Sequence, residues 1–598
     1  MTKIRKLSNY NLDALKTAAA EYLELIRNLA NVEVARERLF RKVSTSHFDS
    51  FAEDSELYEG RMVRVRDCSL ALKSIIKLRS DKRAGFSVVK ALYDIARGEP
   101  RPDLQAGFYA ELYHLFMGIK GRGPGQAPGD YYISKSLSGR EAAIARSAEL
   151  DKLWSQVEKL MSRFDHGLDP NVIKYRQKRR DKVLAQLGGV ADNWHDWRWH
   201  LRHIIKKPTQ LFDLVHLSKE EKHSLEMVEE ARLPFGITPY YLSLFNDSKD
   251  NSDTAVRAQV IPPESYVKYM TANQHNDECS FDFMLEQDTS PIDLITRRYP
   301  GIVILKPYNT CPQICVYCQR NWEIDEVMAR GALASKEKIR AAVDWIAEHP
   351  AVHDILVTGG DPLAMSDKKL FWTIQQLAQI PSIERIRIGT RTPVTMPMRI
   401  TDEVAEFLGS VRRPMELDIA VVTHVEHPYE VTPEMFQAVE KLRAQKINVY
   451  NQNVFTFFNS RRFEGALLRR LLKRIGIDPY YIFNTKGKGE TIAYRVPIAR
   501  LLQEQKEEAR LLPGLTRTDE AVYNVPALGK NYLRAFQHRD VISVLPDGSR
   551  VYEFHPWEKN IRRQKSYIGT DVPVLDYLRR LQAIGEDVSR YETIWYYF

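Results

Sequence analysis

Three cysteines within eight residues, Cys311, Cys315 and Cys318 of the run YNTCPQICVYCQRNWE, are the part of this 598-residue chain best suited to chemistry. A structural zinc site needs four ligands in a tetrahedral array, and neither remaining cysteine, Cys68 or Cys279, sits in a second CxxC pair. An iron-sulfur cluster held by three thiolates has one iron without a protein ligand, which is a coordination site for a small molecule. Five cysteines in so long a chain cannot form a disulfide framework, so the cluster of three calls for metal or chemistry.

Such a site has to be carried by a scaffold. From Gly301 onward, short β-branched runs alternate with segments of helical length. GIVILKP, HDILVTGG, ERIRIGT, MELDIAVVTH, INVYNQN and PYYIFNT read as six buried strands, with SKEKIRAAVDWIAEH and TPEMFQAVEKLRAQK as intervening helices. The fold class is therefore α/β, a partial (β/α)6 barrel, with chemistry expected at the carboxyl ends of the strands. The cysteines follow the first strand there, Gly359-Gly360-Asp361 the second, THVEH the fourth, NQN the fifth and TKGKG the sixth. Residues 1–185 read as a helical extension, 186–294 as a helical lead-in, 295–485 as the barrel and 486–598 as a C-terminal segment. The Gly- and Pro-rich stretch Gly121 to Asp130 reads as a loop.

The formal charge is +9, from 87 Lys and Arg against 78 Asp and Glu. Acidic and basic residues are interleaved, as in KLRSDKRAG, and no RNA-binding signature is present, so a solvated basic surface is expected rather than a nucleic-acid partner. With neither a signal-peptide pattern nor an apolar run of about 18 residues, a cytoplasmic protein with no membrane partner is expected.

The CxxxCxxC spacing after a first strand, with Tyr317 just before the third cysteine, resembles the signature of radical S-adenosylmethionine (SAM) enzymes. That resemblance implies a 4Fe-4S cluster on Cys311, Cys315 and Cys318 whose open iron is chelated by SAM, and reductive cleavage of SAM to methionine and a 5'-deoxyadenosyl radical. It assigns Tyr317, Gly359, Gly360 and Asp361 to SAM binding. The glycine pair would let backbone approach that ligand closely.

Eight further pieces in family order resemble the lysine 2,3-aminomutase family: DWRWHLRH, ITPYYLSL, TRRYPG, TGGDPL, RIRIGTRTPVTMPMRIT, THVEHPYEVT, NQNV and DPYYIF. The resemblance implies pyridoxal phosphate (PLP) as a second cofactor, carried by Lys530 in the small-residue loop NVPALGKNYL, with Arg298 and Tyr299 toward its phosphate. A second arginine of that phosphate segment is replaced here by Ile302. Arg320 matches the residue that grips the substrate α-carboxylate. Where lysine-specific members carry two aspartates for the distal ammonium, this chain has Lys486 and Asn524, a pattern that resembles glutamate 2,3-aminomutases. The expected reaction is L-glutamate to β-glutamate, with Lys488 an alternative to Lys486 and another carboxylated amino acid left open.

Family members with structural zinc draw its cysteines from the C-terminal region; none follows Cys318 here, so zinc is not expected. The resemblance also implies a reducing electron donor such as flavodoxin or ferredoxin, and it leaves a homo-oligomer open. The helical extension has no counterpart in the compact aminomutases; packing on the barrel, partner contact and assembly are its candidate roles. Two rivals remain at this level: a radical SAM enzyme with another substrate or without PLP, and a nonenzymatic iron-sulfur protein that binds nucleic acid.

Overall fold

The computed structural model describes residues 6–50, 59–123, 136–246, 252–273, 281–320, 323–485, 488–556 and 565–598. Most of the loop expected from Gly121 to Asp130 lies outside them, as does Lys486. No helix among the described residues is long and apolar enough to cross a membrane.

The main sheet has nine strands in sequential order: β1 (Ile295–Tyr299), β2 (Ile302–Tyr308), β3 (Asp354–Gly359), β4 (Arg385–Gly389), β5 (Asp418–Thr423), β6 (Asn448–Phe455), β7 (Ile477–Asn484), β8 (Glu520–Val525) and β9 (Gly529–Tyr532). Strands β2 to β7 are the six read from the sequence, and β8 continues the parallel series beside β7. The outermost strands, β1 and β9, run antiparallel to their neighbours.

Strand alternation explains why these sequences form a layer with two unlike faces. Val303, Leu305, Ile355, Val357, Ile386 and Ile388 are fully buried under the covering helices. Their alternates, among them Ile304, Leu356, Thr358 and Gly389, face a central cavity. The sheet curls until its two edge strands come within side-chain reach, where Lys530 on β9 donates to the Tyr299 hydroxyl on β1 at 3.2 Å. No strand ladder joins β9 to β1 among the described residues.

Two hydrophobic cores divide the chain. One lies under the barrel helices and also takes Val157, Met161, Val183 and Leu184 from the helices Gly139–Met161 and Pro170–Gln186. The other is built by the helices between Leu12 and Ile119 together with residues from the far end of the chain, including Val525, Leu528, Tyr552, Leu575 and Trp595. It encloses one face of a second sheet, β10 (Arg539–Val544), β11 (Arg550–Phe554) and β12 (Tyr567–Thr570). The two chain ends are locked by a buried ion pair, Glu111 with Arg550 at 2.9 Å, and by a close backbone approach of Gly107 to Gly548. Of the roles left open for the extension, packing is the one observed. Its first 120 residues hold the C-terminal segment, and the residues after them cover the barrel.

Candidate active site

The loop after β2 presents the three cysteines, and its shape is set by neighbours rather than by its own sequence. Ile314 N–H donates to the Gly236 carbonyl at 3.0 Å and Val316 N–H to that of Gln259 at 2.9 Å, so the helical lead-in carries the loop. From the other side the turn after β3 is pinned by Gly360 N–H to Tyr308 O at 2.8 Å and Asp361 N–H to Thr310 O at 3.0 Å. A Cβ on Gly360 would lie 2.5 Å from the Thr310 carbonyl carbon, so this position admits only glycine. Besides lining the cavity, Gly360 is thus seated on the backbone one residue before Cys311. Gly359 has φ of +112°, a region that favours glycine.

Asp361 is likewise a structural tie. Its buried carboxylate accepts from Thr390 Oγ1 at 2.6 Å, Thr392 Oγ1 at 3.0 Å and the backbone N–H groups of Leu363 and Arg391, both at 3.0 Å. It joins the end of β3 to the end of β4.

Cys311, Cys315 and Cys318 line one cavity of about 370 Å³ together with Tyr317, Gly360, Asp361, Arg298, Arg320 and Asn524. Burial pushes the Cys311 thiol well above the ordinary range, with the Asp361 carboxylate and the other two cysteines adding to the shift. Cys315 is raised by burial and drawn back by Arg391. Thiols crowded in this way become thiolates most readily on a metal. Among the described residues no three His, Cys, Asp or Glu side chains converge on one ion. A 4Fe-4S cluster does not need them to, because each thiolate binds a different iron. Three thiolates lining one cavity therefore fit the donor set of such a cluster.

Opposite the cysteines, Glu286 is a carboxylate that sequence reasoning missed. It accepts from Thr296 Oγ1 and Lys306 Nζ, both at 2.9 Å, and pairs with Arg320; Arg298 Nη2 lies 3.9 Å away. Burial alone would raise its pKa, but Arg320 and Lys306 hold it below the usual carboxylate range. Arg320 also pairs with Glu323 at 3.0 Å, while its buried Nε has no partner among the described residues. Three cations, Arg298, Lys306 and Arg320, thus meet the carboxylates of Glu286 and Glu323, with Asp282 also acting on Arg298.

Lys530 is in a strand rather than the loop expected from NVPALGKNYL. Ala527 at φ +60° and Gly529 at φ +84° turn the β8–β9 hairpin, and Lys530 on β9 pairs directly with Asn524 on β8. Directly paired residues share a face of the sheet, and Asn524 lines the cavity. Lys530 is not itself a lining residue. Its ammonium lies 4.7 Å from the Tyr299 ring centre and 5.1 Å from that of Tyr481, next to the hydroxyl of Tyr299. Lys530 thus sits beside Asn524 of the cavity wall and against Tyr299, with Arg298 on the same strand as Tyr299 lining the cavity.

Lys486 lies outside the described residues. Its alternative, Lys488, lines the cavity, is 5% exposed and pairs at 2.5 Å with the equally buried Glu490. Its carbonyl accepts from Arg495 Nη2 at 2.7 Å and Thr491 Oγ1 at 3.1 Å, so this stretch is anchored rather than loose. Arg391, inside a run quoted for its resemblance but given no role there, reaches Cys315. His424, Glu426 and Gln452 complete the wall at the ends of β5 and β6. Burial pushes Glu426 up to about 8, so at neutral pH it is mostly uncharged.

The profile of the Radical SAM superfamily matches residues 305–467, from within β2 into the helix after β6. An uncharacterized KamA family protein of Methanocaldococcus jannaschii is 43% identical, the alignment covering 100% of both chains. Glutamate 2,3-aminomutase of Clostridioides difficile is 33% identical over 58% of this chain and 77% of its own length. L-lysine 2,3-aminomutase of Acetoanaerobium sticklandii is 33% identical over 54% of this chain and 73% of its own.

Proposed function

The chain belongs to the KamA family of the radical SAM superfamily, and on that premise we propose that it is a PLP-dependent 2,3-aminomutase that converts L-glutamate to β-glutamate. Family membership makes it an isomerase of the aminomutase type and implies a 4Fe-4S cluster and SAM. The observation that carries the substrate is the charge of the cavity walls. Apart from the cysteines, three acids line it: Glu286 is matched by Arg320 and Lys306, Asp361 by four hydrogen bonds, and Glu426 is mostly neutral. None offers an unmatched carboxylate to a distal ammonium, and the wall also carries the amide of Asn524 and Lys488, whose ammonium is paired with Glu490.

Cys311, Cys315 and Cys318 would hold the cluster, Tyr317 and the Gly359–Asp361 turn would flank SAM, and Lys530, Tyr299 and Arg298 would hold PLP. When bound, these groups supply the electron, the hydrogen-abstracting radical and the conjugated system across which nitrogen migrates. Arg320 receives the α-carboxylate, for which its unpartnered buried Nε is the available donor. Asn524, fixed across from Lys530 by the β8–β9 ladder, sets the distance between the side-chain carboxylate and the migrating amine. Lys486, with Lys488 as its alternative, would supply the distal charge. The apolar wall of Ile304, Leu356, Val454 and Phe483 keeps water from the carbon centre while it is reactive.

The test is anaerobic turnover of the reconstituted, reduced full-length chain with SAM, PLP and, separately, glutamate, aspartate and lysine. Chiral chromatography with mass spectrometry should find β-glutamate and no β-lysine. β-Lysine in place of β-glutamate would overturn the substrate, and SAM cleavage with no β-amino acid would overturn the aminomutase reading.

A further inference from the structure

Arg391 follows β4 on the turn tied down by Asp361, and it is the charged side chain bonded to a cluster cysteine. Its Nη1 lies 2.8 Å from Cys315 Sγ. The rest of the guanidinium is fully engaged: Nε donates to the His424 carbonyl at 3.2 Å, and Nη2 pairs with Glu430 Oε1 at 2.8 Å, bonds Gln259 Oε1 and lies 3.5 Å from Tyr241 Oη. Glu430 is fixed in turn. It accepts from the Tyr241 hydroxyl at 2.8 Å, Gln259 Nε2 at 3.0 Å and the backbone N–H groups of Glu426 and His427 at 2.7 and 3.1 Å. Both side chains of the pair are largely or wholly buried, at 12% and 0% exposure. A guanidinium held by this many partners cannot swing away from the sulfur.

None of these contacts serves the amino acid, and the arrangement points instead to the electron-transfer step. Reduction adds negative charge to a cluster and its thiolates, so a fixed cationic donor at one sulfur stabilises the reduced form more than the oxidised one. We propose that Arg391 is a fixed hydrogen-bond donor to the Cys315 sulfur that raises the reduction potential of the cluster. Glu430 orients the guanidinium and partly offsets its charge. The inference requires the cluster that family membership implies, but not the glutamate or PLP assignments.

The experiment is a potentiometric titration of the reconstituted full-length chain without SAM, read by the electron paramagnetic resonance signal of the reduced cluster. Arg391→Met should keep its iron and move the midpoint to more negative potential by at least the equivalent of a tenfold change in the reduction equilibrium, about 59 mV. Arg391→Lys should recover part of the shift. Glu430→Gln, which removes the offsetting charge and leaves the arginine, should move the midpoint in the opposite direction. If Arg391→Met fails to retain iron, the lysine and glutamine variants decide the matter by the same readout. A midpoint unchanged in cluster-bearing variants would overturn the proposal, as would Glu430→Gln shifting the same way as Arg391→Met. An unchanged midpoint with weakened SAM binding would give Arg391 to SAM instead, and also overturn it.

Discussion

Replacing Gly360 by alanine tests how the barrel builds its cysteine loop. The added methyl group would meet the Thr310 backbone at 2.5 Å from the carbonyl carbon, with the nitrogen and oxygen nearer still, and backbone cannot rotate aside as a side chain can. The turn after β3 must then lift off the loop. That movement breaks Gly360 N–H to Tyr308 O and Asp361 N–H to Thr310 O, each worth about 1 kcal/mol net. Overpacking that is only partly relieved adds about 1–3 kcal/mol. The sum is about 3–5 kcal/mol, with Cys311 displaced as well because it directly follows Thr310. Gly514→Ala is the control: nothing lies within 4 Å of its Cβ position, so it should stay within about 0.5 kcal/mol of the parent. Urea unfolding of the cluster-free chains gives the stability difference, and iron and sulfide per chain after reconstitution give the effect on the loop. Gly360→Ala matching Gly514→Ala in both would refute the reasoning. Full stability with weakened SAM binding would return the glycine to the ligand-approach role expected from sequence.

Lys530→Ala should abolish the visible absorbance of bound PLP while leaving iron content unchanged, and Tyr299→Phe, which removes the 3.2 Å partner of that lysine, should weaken PLP binding without abolishing it. Glu464 contributes a pH-dependent stability. Burial pushes its pKa up, but Arg461 at 2.6 Å and His427 at 2.8 Å bring it down to about 2. A folded-state pKa below the unfolded value of about 4.5 means the contribution is present above pH 4.5 and is lost as pH falls toward 2, at most about 3 kcal/mol; Glu464→Gln should flatten that part of the stability profile. Glu111→Ala leaves Arg550 buried without its carboxylate and should cost about 3–5 kcal/mol, with faster hydrogen exchange in β10 and β11 than in β3 and β4.

The parallel strands were legible because each is a run of β-branched residues bounded by an amphipathic segment, a pattern that needs only local sequence. Strands β8 and β9 were not, since EAVYNV and GKNY are short and sit beside the Pro, Ala and Gly of a tight turn; that composition made Lys530 look like a loop residue. The three cysteines lie after the first parallel strand, where the sequence pattern put them, yet Glu286 and Arg391 gave no local signal. One lies before the first barrel strand and the other after β4, and only the curled sheet brings them to Arg320 and Cys315. The close seat of Gly360 on the Thr310 backbone gave no local signal for the same reason, as that backbone lies 50 residues earlier. The contact between the two chain ends joins residues more than 400 apart, and helical periodicity in the extension could show that a face is buried but not what buries it.

The most direct test of the central claim is anaerobic turnover of L-glutamate carrying 15N at the amino group and deuterium at both C3 positions. If a single cavity moves the amine within one substrate molecule, β-glutamate should retain the 15N, and deuterium should enter the 5' carbon of SAM. Product that has lost its 15N, or SAM cleavage with no deuterium in the 5' carbon and the glutamate unchanged, would contradict it.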